Sequence, residues 1–264
     1  RLTDPARCDR IARTIAQLKI FIADGHHRYQ TMLTLRDRMR TLHPDAGSDA
    51  PWEFIMMFLV NAEHEGLTIL PTHRLLEGVK VQSLRQLGAD IREHFHVRKY
   101  SFRDGDEDAA RRRWLHDLRD VSPGEHKLGA CFARTNGYYL LTLRDEAAYE
   151  RLVNQPCSSA WKRLDVNILN TLVFERILGI GEDDLVEGKR LTYTKDLDEA
   201  LERTRRGEFQ AALALNPPAL GDVLAIAENG ERMPRKTTYF YPKPVSGLVF
   251  YPMDPGFHGG GVGS

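Results

Sequence analysis

An α+β fold, or a mixed α/β fold with a partly antiparallel sheet, is predicted for this chain by three observations. Helical and extended patterns interleave along its 264 residues. Two alternating apolar runs near the middle flank an Asn136-Gly137 pair suited to a hairpin turn. The longest apolar run, "FIMMFLV" (54–60), has the length of a buried strand and falls well short of the roughly 18 to 20 residues that span a bilayer.

Taken in order, residues 3–18 read as a helix. Thr3 or Asp4 can cap it, Pro5 suits its first turn, and Cys8, Ile11, Ala12, Ile15 and Leu18 share one face. "KIFIA" (19–23) is β-branched and aromatic, hence a strand, and residues 28–42 return to helical spacing through Met32, Leu35, Met39 and Leu42. A strand is expected over 52–62, and an apolar strand with a Pro-led turn over 67–78. A helix (83–95), a strand (96–102) and another helix (111–120) precede the hairpin at 127–145. A long helix follows over 164–180, with Leu164, Ile168, Leu172 and Phe174 inward and Gly179 near its end. Strand 189–194, helix 196–207 and strand 208–215 make one βαβ-length unit, and a helix over 218–230 leads into an extended segment dense in Pro, Lys and aromatics (231–253). The expected divisions are a strand–turn–helix part (1–62), a central α+β part (63–160), a C-terminal α/β part (161–257) and a flexible tail (258–264).

Composition narrows the function classes. Acidic and basic residues balance at 37 each, so no whole-molecule field recruits nucleic acid or an anionic membrane. The cysteines, Cys8, Cys131 and Cys157, are odd in number and contain no CxxC, which argues for a reduced, cytoplasmic setting and against a cysteine-built zinc site. GxSxG, Walker A, GxGxxG and HExxH are absent, which removes the commonest hydrolase, nucleoside-triphosphatase and metalloprotease readings. The chain lacks an initiator Met and opens inside a helical pattern, so a preceding N-terminal region is expected.

The densest chemistry is in "IFIADGHHRYQTML" (20–33), where the expected strand hands over to a helix. Gly25 permits a tight turn and close approach of a ligand to the backbone. The first free N–H groups of the helix favour an anion, Arg28 can fork two hydrogen bonds onto phosphate oxygens, and His26 or His27 can donate or move a proton. Asp24 repels phosphate, so it belongs there if it orients a histidine, binds a divalent cation, or takes a proton from a hydroxyl nucleophile. The plainer alternative is that Asp24 caps the helix, His26 packs and Arg28 pairs with an acid. "LPTHRLL" (70–76) repeats the pairing as His73 and Arg74, either ordinary surface or part of the same pocket. "MPRKTTYFYPK" (233–243) supplies Lys236, Thr237, Thr238 and Lys243 in a Pro-stiffened loop suited to phosphate or carboxylate. "RRR" (111–113) reads as a solvated helix face, and His94 with His96 lacks a nearby third ligand.

In this order, "FIADGHHRYQTML", "ILPTHRLL", "LDVNILNTLVFERILGI", "LTYTKDLDEAL" and "ERMPRKTTYFYPKPVSGLVF" resemble the bacterial and archaeal family known as domain of unknown function 1015, over about residues 10 to 253. The strand–DGHHR–helix turn is further similar to the phosphate-binding turn of the ParB/sulfiredoxin-like superfamily, some of whose members are free-serine kinases. That resemblance implies that Gly25, His26, His27 and Arg28 bind nucleotide phosphates, with Asp24 near the reacting hydroxyl or a metal. It implies ATP or ADP with Mg2+ as cofactors, and a further acid upstream of the turn. The absence of a Cys from the turn argues against sulfinic-acid repair. The expected function is therefore phosphoryl transfer to a small hydroxyl metabolite such as serine. The rivals are a nucleotide-binding regulatory module without turnover and a metal-assisted phosphohydrolase. Asp24, His26 and His27 would be catalytic, and His73, Arg74, Lys236, Thr237 and Lys243 would complete the anion site.

Overall fold

The computed structural model describes residues 2–103, 105–153, 155–181 and 190–253. The expected tail at 258–264 lies outside the described residues. The chain divides into two compact units, one made of Arg1–His64 with Pro242–Ser264 and the other of Glu65–Tyr241.

In the first unit, α1 (Pro5–Ile15) begins where expected. The Asp4 carboxylate accepts from the amides of Ala6 and Arg7, with Pro5 at the first helical position. Helix α2 (His26–Leu42) follows Gly25. Its C-terminal end is tied to a 3-10 turn (Pro51–Glu53): Arg40 donates to both Glu53 oxygens at 2.8 and 2.5 Å, and His43 stacks on Trp52 with ring centroids 5.3 Å apart. Two expectations fail here. Among the described residues, neither 19–23 nor 52–62 joins a strand, and the side chains of 54 and 56–60 lie exposed instead of buried. Apolar, β-branched sequence favours extended backbone, but a strand also needs a partner for its N–H and C=O groups. The apolar face of α1 is likewise unburied: Ile11 is exposed, as is Leu18 beyond the end of the helix.

The second unit holds most of the core. Six strands form one antiparallel sheet in the order β3-β5-β4-β7-β2-β6, comprising β2 (His73–Leu76), β3 (Phe95–Ser101), β4 (Lys127–Phe132), β5 (Gly137–Leu143), β6 (Leu191–Thr194) and β7 (Ala211–Ala214). A two-stranded ribbon pairs β1 (Thr68–Leu70) with β8 (Tyr239–Tyr241). Strands β6 and β7 flank β2 and run antiparallel to it, so they are parallel to one another, with α8 (Leu197–Arg205) as the intervening crossover. The Asp196 carboxylate caps that helix through the Glu199 amide at 3.1 Å.

Strict alternation puts one side chain up and the next down, and the sheet buries both faces. Leu76, Leu128, Ala130, Leu141, Ala211 and Leu213 face one layer with α3 (Val81–His94), α5 (Glu146–Leu152), α6 (Ser159–Lys162), α7 (Asp165–Ile168) and α9 (Leu220–Glu228). Leu75, Cys131, Tyr138, Leu140, Ala212 and Ala214 face the opposite layer with α4 (Glu107–Arg119) and α8. Trp114 of α4 is fully buried there, stacked on Tyr138 at 4.9 Å and donating its indole N–H to Tyr139 O at 3.0 Å. The fold is thus mixed α/β with antiparallel sheets, as the interleaving predicts.

Two local differences are instructive. The long helix over 164–180 starts as α7 but continues as a π-wound segment (Leu169–Ile177), whose Leu178 amide reaches back to Val173 O at 3.0 Å. The hairpin forms, but its turn is Ala133–Asn136, with Arg134 at φ 60, while Gly137 begins β5. Gly137 instead pairs with Ser101 as part of the sheet. Among the described residues, no helix is long and apolar enough to cross a membrane.

Candidate functional site

The turn at 24–28 is built from a glycine that few other residues can replace. Gly25 sits at φ 83, ψ 22 in the left-handed region and precedes the first residue of α2. A Cβ there would lie 3.0 Å from Arg28 Nη2 and 3.2 Å from Nε, so the guanidinium folds back over the glycine. Asp24 Oδ1 accepts from the Gly25 amide at 2.8 Å, and Tyr29 N closes the first helical bond to Gly25 O at 2.9 Å. No side chain caps the helix start, so its leading amides keep their capacity to bind an acceptor. His26, His27 and Arg28 are all exposed.

Lys243 completes this corner from the far end of the sequence. Its ammonium donates to Asp24 Oδ2 at 2.7 Å, held between Pro242 and Pro244. The Lys243 hydrogen bond outweighs the opposing effect of burial and, with the Gly25 amide and the charges of Lys243 and Arg28, holds the Asp24 carboxyl below the usual carboxylate range. Asp24 is therefore ionised at neutral pH and matched by a cation. Asp24, Gly25, Arg28 and Lys243 thus come together, with His26 and His27 beginning the helix beside them.

The remaining expected residues gather within the second unit. His73 and Arg74 open β2 and are 4% and 2% exposed, so they are not a surface pair. His73 Nδ1 accepts from the Leu215 amide at 3.2 Å, which leaves the ring proton on Nε2. Burial, reinforced by Arg74 and Arg119, drives its pKa down to about 4, so it is neutral at physiological pH. The Arg74 guanidinium donates to Thr72 O and, at 3.0 Å, to Lys236 O, and lies 5.6 Å from the Tyr193 ring centroid. Thr237 is buried and its hydroxyl donates to Pro234 O at 2.7 Å. Lys236 is exposed, with its backbone at φ 57. Arg74 and Thr237 were expected to touch an anion directly. Both are instead committed to backbone carbonyls.

Two further groups escaped sequence reading. Lys195 places its ammonium 4.4 Å from the Tyr239 ring centroid, a contact set by where β6 ends. His126 Nδ1 pairs with Asp165 Oδ1 at 2.8 Å, and burial pushes the Asp165 carboxyl up despite the opposing pull of His126. Neither carries a motif. Among the described residues, no three His, Cys, Asp or Glu side chains gather as a metal site.

Residues 1–167, the turn, β2 and the hairpin included, match the family described as "Protein of unknown function (DUF1015)". The chain belongs to this family. A comparison with curated proteins gives no significant match. Among solved structures, this DUF1015 member is similar to a free serine kinase in complex with AMP, at 14% identity and TM-score 0.35 over 69% of this chain and 56% of that one. It is also similar to a free serine kinase variant in complex with ADP (14% identity, TM-score 0.40, 83% and 66%). A third is a conserved hypothetical protein from Pyrococcus furiosus (14% identity, TM-score 0.39, 83% and 68%). The chain therefore spans little more than half the length of the first of these.

Proposed function

We propose that the chain binds a nucleotide at the start of α2 and transfers its phosphoryl group to a small hydroxyl metabolite such as serine. The Asp24–Lys243 pair carries this reading. An acid beside a phosphate site is the one feature that argues against anion binding there, and Lys243 cancels it. What remains at the corner is net attraction: the uncapped amides of α2 and the Arg28 guanidinium. The nucleotide donor itself is what the sequence resemblance implies.

In this reading Arg28 and the leading amides hold the phosphates, while His26 or His27, both exposed, donates to a bridging or terminal oxygen. The acceptor oxygen forms its bond to the terminal phosphorus as the bond to the leaving phosphate breaks, and Asp24 takes the hydroxyl proton. Paired with Lys243, Asp24 is ionised but weakly basic. Movement of Lys243 from the carboxylate to a phosphate would raise that basicity when it is needed. If Mg2+ takes part, Asp24 is the residue that would hold it, in place of taking the proton, and the ion would supply charge neutralisation.

A binding module without turnover is the second reading, favoured by the hold of Lys243 on Asp24. Incubation with labelled ATP or ADP and a panel of hydroxyl amino acids separates the two. Label should pass to an acceptor, and Arg28→Ala should lower the rate on the order of a hundredfold by removing a charge-assisted phosphate contact. Tight nucleotide binding by calorimetry with no labelled product would leave the binding module. Phosphate released only to water would mark a hydrolase.

A further inference from the structure

The second unit makes two choices that work against its own stability, and both raise positive charge in the same place. The first is Arg74. Its side chain is almost fully buried, yet among the described residues no carboxylate pairs with it. Its partners are two backbone carbonyls, 162 residues apart in the case of Lys236 O, and the face of Tyr193. Burying an ion without a counter-ion costs several kcal/mol as a rule, and an apolar side chain would close this layer more cheaply. The second is Lys236, a non-glycine residue at φ 57 in a turn where Gly or Asn would sit with less strain. Neither choice is explained by packing.

They are explained together if the loop exists to hold an anion. We propose that Arg74 is a positioning residue whose guanidinium clamps the 233–238 loop through Lys236 O. The clamp fixes Lys236, Arg235 and the Thr238 hydroxyl as a binding loop for the phosphate or carboxylate oxyanion of a small substrate. The inference deepens the phosphoryl-transfer reading and takes its ligand class from it. Arg74 sets the loop from beneath, Thr237 closes it through Pro234 O, and the β1–β8 ribbon fixes where it ends, with Leu70 opposite Tyr239. Lys195, just past the end of β6 and over the Tyr239 ring, adds a further cation. Among the described residues, none of Lys195, Arg235 and Lys236 forms an ion pair. A clamp made of carbonyl bonds has an advantage here, because it leaves the positive charge of Arg74 uncompensated beneath the loop.

The test titrates the full chain with inorganic phosphate and, separately, with acetate, while following the backbone amides of residues 235–238 and of Gly25 by NMR. The loop amides should respond to at least one anion, and the anion bound more tightly names the group recognised. Lys236→Gly should raise Tm by about 2–4 °C, because it relieves the positive φ. The same change should weaken loop binding about tenfold, because it removes the cation. A merely structural loop would not move these two readouts in opposite directions. Arg74→Met should weaken loop binding similarly and leave the Gly25 response intact, and Arg74→Lys should recover part of it. Should Arg74→Met fail to fold, Lys236→Gly decides. Loop amides silent to both anions, or unchanged affinity in Lys236→Gly, overturn the proposal. A silent Gly25 beside a responding loop would instead remove the reading of the α2 turn and leave this one standing.

Discussion

At the scale of single residues, Gly25 joins conformation to chemistry. Its backbone needs φ 83, and the space a Cβ would fill is taken by the Arg28 guanidinium. Gly25→Ala should therefore cost about 1 kcal/mol of stability, the usual penalty of a left-handed alanine. On the proposed function it should also displace Arg28 and weaken nucleotide binding by far more than that figure suggests. Calorimetry beside a thermal melt checks this, and an alanine variant that binds as tightly as wild type would break the link between the turn and the ligand. His73 makes a separate prediction. Its folded pKa, about 4, lies below the ordinary 6.5. A depressed histidine gives stability that is complete above pH 6.5 and lost as pH falls toward 4, on the order of 3 kcal/mol over that window. The groups acting on it are Arg74, Arg119 and, in the opposite sense, Asp196. His73→Asn, whose Oδ1 can accept from Leu215 N in place of Nδ1, should flatten the acid limb of a Tm-against-pH curve. A limb that keeps its slope would assign acid lability to other groups.

The elements were legible where a local signal coincided with a tertiary one. Asp4 and Asp196 cap the helices that follow them, and the alternation in 127–145 does pair as a hairpin, because the period that suits a strand also fills both layers beside it. Runs 19–23 and 52–62 misled for the opposite reason: their composition favours extended chain, but strand formation depends on a neighbour that composition does not name. The turn of the hairpin was misplaced because Asn136-Gly137 looks like a type I′ turn, whereas Gly137 already pairs with Ser101 as the first residue of β5. Gly129 is a glycine whose role is invisible in sequence. A Cβ on it would stand 2.4 Å from Trp114 Cζ2 and 3.0 Å from Ala214 Cβ, against a ring with no room to retreat. Gly129→Ala should destabilise by about 3 kcal/mol in urea melts, the upper range for overpacking. Combining it with Trp114→Phe should cost less than the two separate changes added together, and strict additivity would mean that the ring and the glycine do not share the strain. Of the candidate site, the 24–28 turn could be read because its chemistry is contiguous. Lys243 came from its Pro-flanked motif, and the clamping role of Arg74 could not be read, because it depends on a carbonyl 162 residues away.

For the molecule as a whole, the uneven distribution of the core makes the last prediction. Both buried apolar clusters are composed of residues between Leu75 and Ile226, inside the second unit, whereas α1 and α2 bury no side chain and Phe54, Met56, Met57, Phe58, Leu59 and Val60 are exposed. Cooperative unfolding follows from shared apolar burial, so it should reside in Glu65–Tyr241. That segment is continuous in sequence, includes both strands of the β1–β8 ribbon, and keeps the Arg74–Lys236 clamp. Expressed alone, residues 65–241 should give dispersed amide signals and a single sharp thermal transition. Because His73 stays within it, the transition should retain the acid sensitivity described above. A fragment with native helix content but broad melting and collapsed amide dispersion would show that residues 65–241 do not lock their packing on their own.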